Sequence, residues 1–156
     1  MCGHCGCGVV TPIGRLMAEH ERLLDLAEDA RRAVRAGDAA AARQIITALT
    51  GLLIVHTRAE EAGLFAVMRA TADFSDHIDR LQAEHADLMA RLATPLRPGA
   101  VPGICDQLRE HIHAEEYGLF PAALASLGGD DWEAVSAREA AGSEAAGADL
   151  PQREGR

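Results

Sequence analysis

Apolar residues recur at helical spacing along four segments of this 156-residue chain. Within each segment they fall at i, i+3, i+4 and i+7, which is typical of an α-helix with one buried face. The four apolar stripes cover residues 13–34, 45–67, 74–92 and 104–122. Breaks at Gly37, at residues 70–73 and in the Pro- and Gly-rich segment 94–103 separate them. Short connections between long amphipathic helices predict an all-α fold, an antiparallel up-down-up-down four-helix bundle.

The same breaks divide the chain into four parts. We assign residues 1–10 to a Cys-rich leader and residues 11–128 to the bundle. Residues 129–141 are expected to form a short C-terminal capping helix, with Trp132 packed on the end of the bundle. Residues 142–156 are rich in Ala, Gly and Glu and have almost nothing to bury, so a disordered tail is expected there.

Composition narrows the class of partner. A net charge of −9 argues against nucleic acid, which requires a concentrated basic surface. The longest apolar run, residues 45–55, is too short and too interrupted by Thr to span a bilayer, so no membrane association is expected. The sequence after Met1 does not read as a secretion signal, and free cysteines fit a reducing, cytoplasmic setting. No residue pattern identifies a protein partner.

Four histidines occupy positions on the apolar stripes where leucine would be ordinary. They are His20, His56, His85 and His111, one on each predicted helix. Two of them are followed one turn later by an acid, Glu60 after His56 and Glu115 after His111. Residues i and i+4 project from one face of a helix, so each such pair directs an imidazole and a carboxylate into the interior. Burying these polar groups is costly without a partner, and a pair of metal ions is the most economical one.

The chain also repeats itself. Ala18-Glu19-His20 recurs as Ala83-Glu84-His85, and HTRAEEAGLF from His56 recurs as HIHAEEYGLF from His111. Each half of the bundle is therefore a helix with one His followed by a helix with His-x-x-x-Glu. Two such halves brought face to face would build a symmetric dinuclear site.

The order H…HxxxE…H…HxxxE, with its trailing EExGLF strings, resembles the hemerythrin-like (HHE cation-binding) domain over roughly residues 12–125. This resemblance implies a non-haem di-iron centre with an oxo or hydroxo bridge. Carried over by position, the four histidines would be terminal ligands, and Glu60 and Glu115 would bridge the irons. Oxygen-carrying hemerythrins have a fifth His and an Asp bridge, whereas this chain has Met89 one turn after His85 and Glu at both bridges.

Counting ligands favours an open centre. Two six-coordinate irons offer about twelve positions, and the four His, two bridging Glu and the oxo or hydroxo bridge fill about ten of them. Open positions are what metal catalysis requires. Two functions are compatible with this count. The first is a redox enzyme acting on peroxide, nitric oxide or oxygen, and the second is a module that senses or stores O₂, NO or iron without turnover.

Six residues near the motifs flank the proposed ligands, and spacing alone does not fix their roles. Gly63 and Gly118 follow the bridging acids by three residues, and they either leave space beside the metals or permit close helix packing. Tyr117 either reaches the site or packs near the surface. His77 flanks the third stripe and is expected to stay off the metals more often than not. Glu61 and Glu116 are expected to face solvent or to hydrogen-bond a ligand from outside.

The leader carries a separate cluster, Cys2, His4, Cys5 and Cys7. Its spacing matches no familiar zinc finger or iron–sulfur pattern. Three interpretations stay open: an additional metal site, a thiol redox switch, and a mobile leader with no fixed role.

Overall fold

The computed structural model describes residues 11–71, 74–94 and 97–149, and this part of the chain is helical without strands. Its α-helices are α1 (Thr11–Arg35), α2 (Ala39–Glu60), α3 (Ala66–Thr71), α4 (Ser75–Ala93), α5 (Val101–Ala114), α6 (Phe120–Ser126) and α7 (Gly129–Asp149). Two π-helical turns join helices end to end: π1 (Glu61–Phe65) between α2 and α3, and π2 (Glu115–Leu119) between α5 and α6. The all-α prediction is confirmed, and a four-helix bundle fits the four long helical stretches.

Local signals in the sequence set the helix boundaries. Gly37 adopts φ of 73°, which glycine reaches without strain, and it ends α1. The Asp38 carboxylate then accepts a hydrogen bond of 2.9 Å from the Ala41 backbone N–H and caps α2. The prolines and glycines of segment 94–103 predict a loop between the third and fourth helices, but the segment is helical from Pro98 onwards, first as a 3₁₀ turn and then as α5. Pro102 is tolerated there because the first turn of a helix has no acceptor for its backbone N–H groups.

The core consists of two apolar clusters. The first contains Leu16, Leu64, Leu81 and Leu119. The second contains residues of the same four stripes, most of which lie on the other side of the histidine on each helix. Members of the second cluster include Leu23, Leu53, Leu88 and Ile112. On every long helix, the predicted metal-binding histidine lies between a residue of one cluster and a residue of the other. The polar site is therefore a layer enclosed by apolar side chains on both sides.

The C-terminal helix is longer than the sequence predicted. It was expected to end near residue 141 and to be followed by a disordered tail, yet α7 continues to Asp149. Residues 150–156 lie outside the described part. Alanine-rich composition favours the helix, and Gly142 brings it close to α2, since a Cβ at Gly142 would lie 2.8 Å from the Arg58 carbonyl oxygen. Trp132, near the start of α7, packs against the first apolar cluster as expected.

One helical stretch of the described residues, Ala39–Ala70, is long and apolar enough by length and composition alone to cross a membrane. The sequence interpretation considered only its most apolar run. In the fold this stretch buries His56 and Glu60 within the bundle. Its inner face is therefore occupied by the polar layer, which is a different environment from lipid.

Candidate metal centre

The structure brings the six predicted ligand side chains together in one buried layer. Each is at most 3% exposed: His20, His56, Glu60, His85, His111 and Glu115. They come from all four long helical stretches. Because each helix contributes one histidine at the same depth, the layer crosses the whole bundle.

The imidazoles form two pairs. His20 and His56 bring their Nε2 atoms to 3.1 Å, with the ring centroids 4.8 Å apart. His85 and His111 form the second pair, with ring centroids 4.5 Å apart and the same interplanar angle of 64°. The repeat in the sequence thus becomes a repeat in the geometry.

The two carboxylates lie between these pairs. Glu115 directs Oε2 at His20 Nε2, 3.1 Å away, and Oε1 at His111 Nε2, 2.9 Å away. Glu60 Oε2 lies 3.8 Å from His56 Nε2 and 3.6 Å from His85 Nε2. Each carboxylate therefore faces an imidazole from both pairs, which is the placement required to bridge two ions.

Six of the metal-facing atoms of this layer lack hydrogen-bond partners in the described part of the chain. Both oxygens of Glu60 and of Glu115 are buried without a hydrogen bond of acceptable geometry, as are Nε2 of His85 and of His111. One set of donor atoms, from His20, His56, Glu60 and Glu115, lies within 4.8 Å of one another, and so does a second set from His85, His111 and Glu115. Buried unpartnered carboxylates cost several kcal/mol. Nitrogen and oxygen donors in this arrangement fit transition-metal ions such as iron.

A second ring of carboxylates orients the histidines from outside. Each Nδ1–H donates to one glutamate: His20 to Glu116 at 3.0 Å, His56 to Glu19 at 2.7 Å, His85 to Glu61 at 2.8 Å and His111 to Glu84 at 2.8 Å. Because a carboxylate can only accept, Nδ1 carries the proton and the Nε2 lone pair faces the centre of the layer.

Two members of this outer ring were considered in the sequence interpretation and two were missed. Glu61 and Glu116 were expected to face solvent or to hydrogen-bond a ligand, and the structure shows the hydrogen bonds. Glu19 and Glu84 had no assigned role. Their signal was the repeated Ala-Glu-His triplet, in which the acid before each histidine serves the histidine of the next long helix.

The π-helical turns were not predicted, and they coincide with the EExGLF repeats. Glu60 immediately precedes π1 and Glu115 opens π2. Such turns are frequent at functional sites, where the extra residue re-aims the side chains around it. A phenylalanine at or just after the end of each turn contacts a histidine across the bundle: the Phe65 ring stacks on His85 at 5.5 Å and the Phe120 ring on His20 at 5.6 Å.

The remaining predicted residues lie outside the layer. Gly63 packs against α7, where a Cβ would overlap the Glu139 side chain, so close packing is the interpretation the structure supports. Gly118 is exposed and a Cβ there would lie 3.6 Å from His77 Nε2, an ordinary contact. Tyr117 is 57% exposed and stacks on His113. His77 is half-buried, accepts a hydrogen bond from Arg80 at 2.8 Å and belongs to neither group of candidate ligands.

Burial and pairing shift the titration of the metal-free layer. Burial raises the pKa of Glu60 well above its usual range, and the nearby charge of Glu115 raises it further. Burial also opposes ionisation of Glu115, but its three imidazole neighbours outweigh this, and its pKa lies well below the usual range. Burial lowers the pKa of His20, yet the close carboxylates of Glu115 and Glu116 raise the pKa to about 9. The pKa of His85 rises to about 8 in the same way.

The Cys2, His4, Cys5 and Cys7 cluster lies outside the described residues, so its three interpretations stay predictions.

The model of the Hemerythrin HHE cation binding domain matches residues 11–123, most of the chain. No curated protein and no solved structure matches the chain. The family match confirms the resemblance noted in the sequence. It ends before α7, so the fifth long helix is outside the matched region.

Proposed function

This chain belongs to the hemerythrin HHE cation-binding domain family, and we propose that it binds two iron ions joined by an oxo or hydroxo bridge. His20 and His56 would hold one ion, and His85 and His111 the other. Glu60 and Glu115 would bridge the two. The observation that carries this proposal is the position of both buried carboxylates between two imidazole pairs, with their oxygens free of hydrogen bonds.

The proposal includes the up-down-up-down antiparallel order of the bundle. Along α1 and α4 the chain passes from the first apolar cluster, through the histidine, to the second cluster. Along α2 and α5 it passes from the second cluster to the first. Because the order of the two clusters alternates from one long helix to the next, the direction of the helices alternates as well. The two HxxxE motifs, on α2 and α5, would therefore run in the same direction through the layer.

We further propose that the centre binds or reacts with small ligands: O₂, peroxide or NO. Four histidines, two bridging carboxylates and one oxo or hydroxo bridge fill about ten of about twelve positions on two six-coordinate irons, so about two stay open. Bound iron supplies the redox chemistry. The protein contributes oriented imidazoles, held by their Nδ1 hydrogen bonds, and a dry enclosure, since the Phe65 and Phe120 rings cover His85 and His20.

Ligand reactivity is tested by loading the protein with ferrous iron without oxygen and then adding peroxide, O₂ or NO in separate experiments. Repeated consumption of peroxide or NO supports the redox enzyme. Uptake of one ligand per iron pair without turnover supports the sensor or storage module instead. A His113→Ala variant is the matched control, because His113 is an exposed histidine two residues from a proposed ligand. Reactivity unchanged in a His111→Ala variant would contradict the proposal.

A further inference from the structure

Helix α7 sends one charged side chain into the interior. Glu139 is fully buried, and among the described residues it is the only buried charged or titratable polar group besides the six proposed ligands and the thiol of Cys105. It lies beyond residue 123, where the family match ends. The proposed ligand set does not account for it. Burying a carboxylate is costly, so its position requires an explanation.

Gly63 makes the space that Glu139 occupies. A Cβ at Gly63 would overlap Glu139 Cγ, and it would lie 3.2 Å from Glu139 Cδ and 3.0 Å from the Val135 carbonyl oxygen. Gly63 is part of π1 and follows the proposed bridging ligand Glu60 by three residues. The glycine of the first EExGLF repeat therefore seats a carboxylate from α7 beside the turn that carries Glu60.

The surroundings of Glu139 leave its charge only partly compensated. Arg15 of α1 pairs with Oε2, and the Arg15 side chain is 40% exposed. The other oxygen, Oε1, is buried without a hydrogen-bond partner in the described part of the chain. The remaining charged neighbours are acids: the negative charge of Glu19 on α1 acts on Glu139, and that of Glu139 acts on Glu60.

The position of Glu139 near the turn that carries Glu60 would affect the electrostatics of metal binding. Two divalent ions with an oxo or hydroxo bridge bring two or three net positive charges into a layer where the two bridging carboxylates supply two negative charges. The four outer glutamates accept hydrogen bonds from the histidine Nδ1–H groups, on the side of each imidazole that faces away from the layer. A further carboxylate near Glu60 favours the loaded state by attraction, and the low dielectric of the interior strengthens that attraction.

We propose that Glu139 is a positioning residue of the metal centre, which α7 places beside Glu60 so that its negative charge stabilises the bound cations. It acts from outside the ligand set and through space. This inference rests on the proposed function, because it requires ions in the layer. It extends the functional site beyond the matched region to the fifth long helix.

The test is the affinity of the full chain for Co²⁺ and for Fe²⁺ without oxygen, in Glu139→Gln and wild-type protein at pH 8. That pH lies above the Glu139 pKa of about 7, so the carboxyl is mainly ionised. Glu139→Gln keeps the shape and removes the charge, and we expect affinity to fall on the order of tenfold, the size seen for outer-sphere partners. Glu144→Gln removes the same charge from an exposed position of α7 and should leave affinity unchanged.

The melting temperature of the metal-free protein separates this role from a structural one. If Glu139 serves only to fasten α7 to α1 through Arg15, Glu139→Gln will lower the melting temperature and leave metal affinity at the wild-type value, which overturns the inference. Should Glu139→Gln not fold, Glu139→Asp replaces it, because it retains the charge; affinity within about threefold of wild type is expected. A tenfold loss with the charge retained would also overturn it. Absence of metal binding by the wild-type protein would instead refute the proposed function.

Discussion

The two halves of the repeat present the same donors to the centre but have different neighbours. The first half comprises α1, α2 and π1, and the second comprises α4, α5 and π2. In the first half, Gly63 is buried under Glu139 of α7. In the second half, Gly118 at the matching position is exposed beside His77. The repeat gives both halves the same proposed ligands. Residues outside the repeated motifs determine which side chains pack on each half and which charges lie near it.

The two proposed bridging acids, Glu60 and Glu115, also differ in their electrostatic environment. Glu115 has close imidazole neighbours from both histidine pairs, and they hold its pKa well below the usual range. Glu60 has longer imidazole contacts, of 3.6 and 3.8 Å. Burial and the charge of Glu115 raise its pKa well above the usual range. In the metal-free protein the pKa values of the two matched acids are therefore shifted in opposite directions.

Replacing each bridging acid by Gln should give the largest contrast. Glu115→Gln leaves His20 and His85, whose pKa values are raised, without their buried counter-charge, so we expect the metal-free protein to lose about 3–5 kcal/mol of unfolding free energy. Glu60→Gln replaces a carboxyl whose pKa is raised well above the usual range by burial and by the charge of Glu115, so a smaller loss is expected. Urea unfolding in the presence of a chelator measures both. Equal destabilisation by the two variants would show that the halves are electrically equivalent.

Adding a methyl group at the matched glycines should separate the halves next. Gly63→Ala places a Cβ against Glu139 and Val135, and we expect a loss of about 1–3 kcal/mol from overpacking. Gly118→Ala meets only an ordinary contact with His77 and removes the helix cost of glycine, so a gain of up to about 1 kcal/mol is expected. Thermal unfolding of the two variants gives the comparison. An unchanged melting temperature for Gly63→Ala would show that α7 is not closely packed against π1 at this position.

The outer carboxylates give the opposite prediction, because substitutions at matched positions of the two halves should have the same effect on metal affinity. Glu19→Gln and Glu84→Gln each remove the acceptor of one histidine Nδ1–H at matched positions. We expect each to weaken metal affinity about 10- to 100-fold, since loss of the acceptor frees the imidazole to turn. Glu110→Gln, at an exposed position of α5, is the control. A loss confined to one of the matched pair would break the symmetry of the site.

The last expected effect is a dependence of stability on pH in the metal-free protein. The pKa values of His20 and His85 are raised from 6.5 to about 9 and about 8. Groups with raised pKa contribute stability that is fully present below the unfolded value and is lost as the pH passes the folded value. We therefore expect the melting temperature to fall by roughly ten degrees between pH 6.5 and pH 9. A melting temperature that rises over this window would contradict the ion pairs with Glu115.

The sequence was sufficient for the parts of the molecule that follow a regular helical period. Burial of His111 and Glu115, which are four residues apart, could be predicted because a buried helix face repeats every 3.6 residues. The π turns could not, since the extra residue in each breaks that period only locally. The repeat Ala-Glu-His contained the signal for Glu19 and Glu84, but a helix-face argument assigns no role to residues off the apolar stripe.

The fifth helix shows a second limit. Helix α7 has a weak apolar pattern, and its length depends on close contacts such as Gly142 against the Arg58 carbonyl oxygen. The pairing of Glu139 with Gly63 joins residues that are distant in the sequence and belong to no shared motif. Contacts of this kind depend on tertiary packing, which a single sequence does not display.

The most direct test of the account is the metal content per chain, measured with an absorption spectrum on aerobically purified protein and on a His56→Ala/His111→Ala variant. Because each imidazole pair is proposed to hold one ion, about two irons per chain are expected, with charge-transfer absorption that the variant loses. A content near three would indicate a further site and would direct attention to the Cys2–Cys7 leader. Wild-type protein that folds, is offered iron and retains none would contradict the di-iron centre.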